Sequence, residues 1–176
     1  YEVSHGGYRH IWTASNFNKA SKSEYQMRLL FNDYIMRLSE QGCRLADNCV
    51  RTWLFVQNVD VNYAGVVKAR NEVFHTQGLT EKTHFIASTG IAGRHADHEV
   101  LVQMDAYAVE GVQPEQIHYL YAPTHLNPTY EYGVSFERGT YVDYGDRRQV
   151  FISGTASINN RGEIVHPGDV CKQTLR

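Results

Sequence analysis

A short run occurs twice in this chain, and that duplication limits the possible topology more than any single segment does. Arg9–Ser15 (RHIWTAS) is similar to Gln149–Ser157 (QVFISGTAS). Each run is followed by a polar loop and then by an amphipathic start containing a glutamine, EYQMRL from Glu24 and VCKQTL from Val170. The second copy reaches Arg176 where its first helix begins. A hairpin and one helical turn cannot cover their own apolar face, so the second copy must pack on the first or on another chain. The sequence therefore predicts a parent protein of two related domains, with most of the second lying beyond this chain.

Within the first copy, Tyr8 to Ser15 reads as a strand. Ser23 opens a helix, with Gln26 placed as the second half of a capping box. Met27, Leu30, Phe31, Tyr34 and Leu38 recur at three- and four-residue steps and so share one helical face. Gly42 is positioned to stop it. Cys49–Val56 (CVRTWLFV) is short, continuously apolar and rich in β-branched and aromatic residues, which predicts a strand buried on most of both faces. Asp60 or Asn62 caps a second helix, with Tyr63, Val66, Val67, Arg70, Val73 and Phe74 on one face and Gly78 at its end. His84 to Ile91 and Glu99 to Val109 follow as strands. The order favours an α+β domain with two helices packed on one face of a mixed β-sheet.

From Gly111 the character changes. Three prolines and four tyrosines crowd the stretch to Gly133, which reads as an ordered connecting loop. Ser135 to Tyr144 and Gln149 to Ser157 then form a hairpin. The expected organisation is a complete domain over 1–110, a connector over 111–134, and the start of a second domain over 135–176.

The composition excludes several function classes. Lys+Arg is 17 against Asp+Glu 19, a net charge of −2, so no strong positive field is available for nucleic acid. No apolar run approaches the ~20 residues of a membrane-spanning helix. The three cysteines, Cys43, Cys49 and Cys171, contain no C-x-x-C pair, which argues against a disulfide framework or a zinc site and for a reducing, cytoplasmic setting. Neither a Gly-rich phosphate loop nor a nucleophile with a placed base is present, so no cofactor is expected.

Several residues could carry chemistry, each with a plainer reading beside it. His84 could donate to a ligand in a cleft, or be satisfied by a nearby backbone group. Gln103 and Asp105 alternate with apolar strand positions and could line a site or face an interface. His95 and His98 stand three apart in RHADHE, but a loop gives no helical face to align two rings on a metal. Arg138, with Arg147 and Arg148, could form an anion site or remain solvated. Tyr119 to Tyr132 could wall an aromatic pocket or pack on one another.

The segments VRTWLFVQNVD, STGI, EVLVQMDAYAV and above all FISGTAS…GEIVHPGDVCKQT resemble the RidA/YjgF superfamily, over about residues 8–110 and again over 135–176. The two-domain members related to chorismatases are the subgroup most similar. The resemblance implies a chorismate-mutase-like α+β domain, assembled as a homotrimer or as a pseudo-trimer of duplicated domains. It implies ligand sites in clefts between domains, where an arginine pairs with a small carboxylate. A chorismatase-like hydrolase or an enamine/imine deaminase relative is the expected function. The alternative is a non-catalytic ligand-binding or assembly protein, of the kind labelled translation initiation inhibitor or endoribonuclease. The resemblance places His84 where deaminating members carry the arginine, Gln103 where they carry the acidic residue, and Phe136 where they carry a tyrosine. Gly154, in the SGTAS run, joins Arg138 in the candidate set. Neither His84 nor Gln103 reproduces the bidentate fork of arginine, and Gln103 cannot accept a proton at neutral pH. Standard imine deamination by this domain is therefore not expected, and no catalytic residue is assigned.

Overall fold

A computed structural model describes residues 1–175; Arg176, the last residue of the expected second unit, lies outside them. Strands β1 (Glu2–His5) and β2 (Tyr8–Phe17) form an antiparallel hairpin. Its tip is Gly6-Gly7, both at positive φ, which glycine adopts without steric cost. Helices α1 (Ser23–Glu40) and α2 (Leu45–Asn48) follow, then β3 (Cys49–Val56), α3 (Val59–Thr76), β4 (Ala87–Ala92) and β5 (Val102–Glu110). The five strands lie in the order β1-β2-β5-β3-β4, with β3 and β4 parallel and the other pairs antiparallel.

Helices α1 and α3 cover one face of this sheet. The apolar stripe expected on α1 is buried throughout, and it meets Val66, Ala69, Val73 and Phe74 of α3 over Leu54, Val56, Met104 and Ala106 of the sheet. Phe31 and Phe74 meet edge to face at 5.2 Å, which locks the two helices together. Burial of this face, rather than intrinsic helix propensity, is what stabilises both elements.

Helix α1 opens at Ser23 as expected, but without the capping box: Lys22 is the capping residue, and no side chain bonds the helix end. Gln26 is fully buried instead. Its Nε2 donates to the carbonyls of Ala20 and Glu99, both at 2.8 Å, and its Oε1 accepts the N–H groups of Leu101 (2.8 Å) and Val102 (3.1 Å). Glutamine is polar, but four local acceptors and donors make the interior its better partner. The same contacts explain why β5 begins at Val102 and not at Glu99. Helix α3 is capped by Asn58, in a left-handed conformation at φ 46°, upstream of the expected Asp60 or Asn62.

The stretch 111–134 is more than a loop. After a 3₁₀ turn at Pro114–Gln116 it supplies β6 (Ile117–Leu120), and a second 3₁₀ turn occupies Thr129–Tyr132. Strands β7 (Gly139–Asp143) and β8 (Arg148–Ile152) complete an antiparallel sheet in the order β6-β7-β8, and α4 (Val170–Leu175) ends the described chain. A four-residue strand in a Pro- and Tyr-rich run has too little alternation to be read before its partner is known. The hairpin, loop and helix of β7, β8 and α4 repeat the order of β1, β2 and α1, a partial second copy. Strands β7 and β8 are shorter than their sequence runs. Before Gly139 the chain turns toward β4, where the Glu137 N–H donates to the Ile86 carbonyl at 3.1 Å. After Ile152, the Gly154 N–H donates to Thr89 Oγ1 at 2.8 Å.

The second sheet packs on the face of the first that the helices leave open. Val50, Tyr107 and Val109 meet Val142 and Phe151 there. Gln116 Nε2 ties the two together by donating to Tyr8 Oη (2.7 Å) and to the Asp143 carbonyl (2.9 Å). No helix among the described residues is long and apolar enough to cross a membrane.

Candidate functional site

The junction between the two sheets shapes a cavity of about 290 Å³. One wall is the segment leading into β4, with Thr83, His84 and Phe85; the other is the segment leading into β7, with Phe136, Glu137 and Arg138. Tyr121 and Tyr130 close it from the aromatic loop. Hydrogen bonds to neighbouring segments hold that loop. Asn71 Nδ2 donates to the Gly133 carbonyl (2.8 Å), Thr129 Oγ1 donates to the Phe136 carbonyl (2.6 Å), and Arg138 Nη2 donates to the Asn127 carbonyl (2.8 Å).

Arg138 is buried, and its Nη2 donates to the backbone carbonyl and side-chain oxygen of Asn127. The guanidinium lies over the Tyr132 and Phe136 rings at 5.6 and 5.5 Å, and its Nε is buried without a partner. No carboxylate bonds it among the described residues. A buried cation held by ring faces and neutral oxygens is costly, and an incoming anion relieves that cost. Beyond Arg138 and Phe136 the cavity adjoins a broad groove of about 1000 Å³, which Gly154 and Tyr132 also line. Gly154 is required there by close approach: a Cβ would stand 2.8 Å from the Thr89 Cγ2.

Glu137 is the residue that sequence reasoning missed. Its carboxyl is buried, and Oε1 accepts the Phe85 N–H at 2.8 Å. Burial pushes its pKa above the ordinary carboxylate value, partly offset by that bond. Its carbonyl accepts a bond from Ser153 Oγ, which also receives the Ser88 N–H at 2.9 Å. Nothing in FERGT distinguishes this glutamate from a solvated strand residue; its burial depends on a backbone donor in a distant segment.

His84 lines the cavity but is committed elsewhere. Its Nε2 bonds the Ala46 carbonyl at 2.9 Å, and its ring stacks on Tyr119 at 4.5 Å. Burial holds its pKa below the ordinary value, so it is a neutral ring at pH 7. Gln103 is elsewhere altogether. Along β3, Arg51 pairs with Ala87 and Phe55 pairs with both Ile91 and Gln103. Gln103 is thus four residues, roughly 13 Å, from the level of Ala87, and His84 lies farther still in the other direction. It lines a separate hollow of about 170 Å³ with Asp105 and His95. The structure therefore brings His84, Phe136 and Arg138 together, sets Gly154 in the adjoining groove, and leaves Gln103 apart.

The other candidates have local partners. Arg147 and Arg148 pair with Asp146 and Asp143. His98 contacts Arg94, and His95 accepts the Asp97 N–H, so the RHADHE loop bonds to itself. Among the described residues, no group of three or more His, Cys, Asp or Glu could hold a metal ion.

A scan against protein-family models and a search of the curated proteins find no match to this sequence. Solved structures do match. A chorismatase superposes over 94% of this chain with a TM-score of 0.71 at 21% identity. The chain spans 50% of that chorismatase. The YjgF protein of Escherichia coli matches 62% of this chain and 85% of its own, with a TM-score of 0.51 and 18% identity. TdcF of Escherichia coli, solved with bound serine, matches 62% of this chain and 86% of its own, with a TM-score of 0.51 and 13% identity. Domain-length matches to YjgF and TdcF, and a match to chorismatase that runs on through the second sheet, agree with the element order seen here: the chain has the YjgF fold, extended into a second unit as in chorismatase.

Proposed function

We propose that this chain binds a small carboxylic acid in the cavity between its two sheets, with Arg138 as the group that holds the carboxylate. The buried guanidinium, with an unpartnered Nε and no carboxylate partner among the described residues, is the observation that carries this reading. Phe85, Tyr121, Tyr130 and Phe136 supply an apolar wall for a ring or short chain, and Gly154 leaves room in the adjoining groove. His84 acts as a neutral wall fixed by Ala46 and Tyr119; Gln103 takes no part. The fold shared with chorismatase supports a hydrolase whose centre is completed by a second unit beginning near residue 135, in a pseudo-trimeric arrangement. A binding protein without turnover is the second reading, favoured by the commitment of His84 to a backbone carbonyl.

Calorimetry with cyclohexanecarboxylate and with chorismate tests the site. Wild-type protein is expected to bind at one site per chain, and Arg138→Gln to weaken binding at least tenfold at pH 7. A charged hydrogen bond contributes about 1.5–3 kcal/mol, which matches a loss of that size. Unchanged affinity in a variant whose circular dichroism is native would overturn the reading. Turnover of chorismate in this chain or in a longer parent protein would separate hydrolase from binder.

A further inference from the structure

The cavity holds a second polar group that the binding of a carboxylate leaves unused. The Glu137 backbone is fixed on both sides, by its N–H to Ile86 and its carbonyl to Ser153, so its carboxyl has little freedom. Oε1 takes the Phe85 N–H, and Oε2 accepts no bond from the described residues. Glu137 and Arg138 both line the cavity, Arg138 bonding Asn127 through Nη2, and no ion pair joins the two among the described residues.

Resting on the carboxylate-binding reading, we propose that Glu137 is the specificity-determining residue of this cavity, donating a hydrogen bond from a protonated carboxyl to an uncharged oxygen of the bound acid. The class of ligand selected is then a hydroxy- or oxo-acid, in preference to a plain acid or an amino acid. The groups facing Glu137 favour the protonated form. Tyr119 of β6 and Tyr121 just after it are hydroxyls that stay neutral, His84 ahead of β4 is neutral, Asp47 of α2 stands beyond Tyr119, and Glu81 is an exposed acid at the mouth. Among the described residues, Arg138 is the one permanent cation on the cavity wall. When a ligand carboxylate occupies it, a second negative charge enters the same low-dielectric space, and Glu137 holds its proton more tightly. Binding and protonation are thus linked. The raised pKa of Glu137 in the folded chain has the matching sign: the proton is retained at low pH and lost as pH rises through the raised value.

The test compares 4-oxocyclohexanecarboxylate, whose ketone oxygen can only accept, with cyclohexanecarboxylate and trans-4-aminocyclohexanecarboxylate between pH 5.5 and 8 by calorimetry. Wild-type protein is expected to prefer the oxo acid over the plain acid at least fivefold at pH 5.5, with the preference shrinking as pH rises. Glu137→Gln, whose amide donates at every pH, should keep the preference and lose its pH dependence. Glu137→Leu should bind the plain acid and lose the preference. A preference for the amino acid, or equal affinities for plain and oxo acids at all pH values, would overturn the role of Glu137 while leaving Arg138 as the carboxylate site. Failure of all three probes to bind wild-type protein would overturn both.

Discussion

Cys49 and Cys171 have the same thiol and opposite surroundings. Cys49 is buried beside Tyr34, whose Oη donates to its sulfur at 3.7 Å, and burial pushes its pKa up to about 12. Cys43 is also buried with its pKa raised, whereas Cys171 is exposed. Because the thiolate is the reactive form, iodoacetamide at pH 8 should modify Cys171 within minutes and leave Cys43 and Cys49 protected until denaturant is added; peptide mass spectrometry reads the order. The burial of Cys49 follows from the apolar run it heads, CVRTWLFV, whereas Cys43, between Gly42 and Arg44, is buried by its tertiary neighbours. Glu137 and Arg138 were less legible in the sequence than Cys49. A strand of alternating polarity says which side chains leave the sheet, but not that another segment waits on the polar side. Tertiary neighbours such as Phe85 and Asn127, and not strand period, bury them.

At the scale of elements, helix periodicity was the most dependable signal. The α1 stripe packs as its spacing requires, and Phe31 lies at its centre against Phe74. Phe31→Ala removes a fully buried ring from a contact made on both sides, at a cost of about 3–5 kcal/mol, measurable as a lower urea midpoint with an unchanged slope. Strand β3 was equally plain, because a strand covered by helices on one face and partly by a second sheet on the other needs apolar residues at successive positions. The edges were not. Strand β1 has no buried side chain, and β6 is half-buried along its length, so neither carries an apolar pattern. Both exist because a longer neighbour offers an open edge to pair with.

The whole molecule is two sheets meeting across a small polar cluster as well as an apolar one. His10 Nδ1 bonds Tyr107 Oη at 2.6 Å, and that hydroxyl donates to Gln149 Oε1 of β8 at 3.0 Å. Burial holds the His10 pKa below its ordinary value, and Arg147 and His5 add to the effect. A histidine depressed in the folded state adds no penalty above its unfolded pKa of about 6.5, and stability is lost as pH falls from there through the folded value. Acidification should therefore destabilise the chain, and His10→Gln should flatten that loss between pH 6.5 and 5 in thermal unfolding. An equal loss in the variant would assign the effect to other groups. How the second sheet sits on the first was not readable from one chain, because its seat depends on paired surfaces, Tyr107 and Val109 against Val142, that lie far apart in sequence.

The buried amide of Gln26 has a consequence for the order in which the chain assembles. Its acceptors and donors at Glu99, Leu101 and Val102 are 73, 75 and 76 residues downstream. Until that distant stretch arrives, the first helix presents an amide with only the Ala20 carbonyl as partner to the apolar layer it is meant to close, so the helix can form early yet cannot finish docking. Closing such a long loop is a late event dominated by chain entropy. During synthesis, the N-terminal helix pair therefore waits, incompletely sealed, for β5 to emerge.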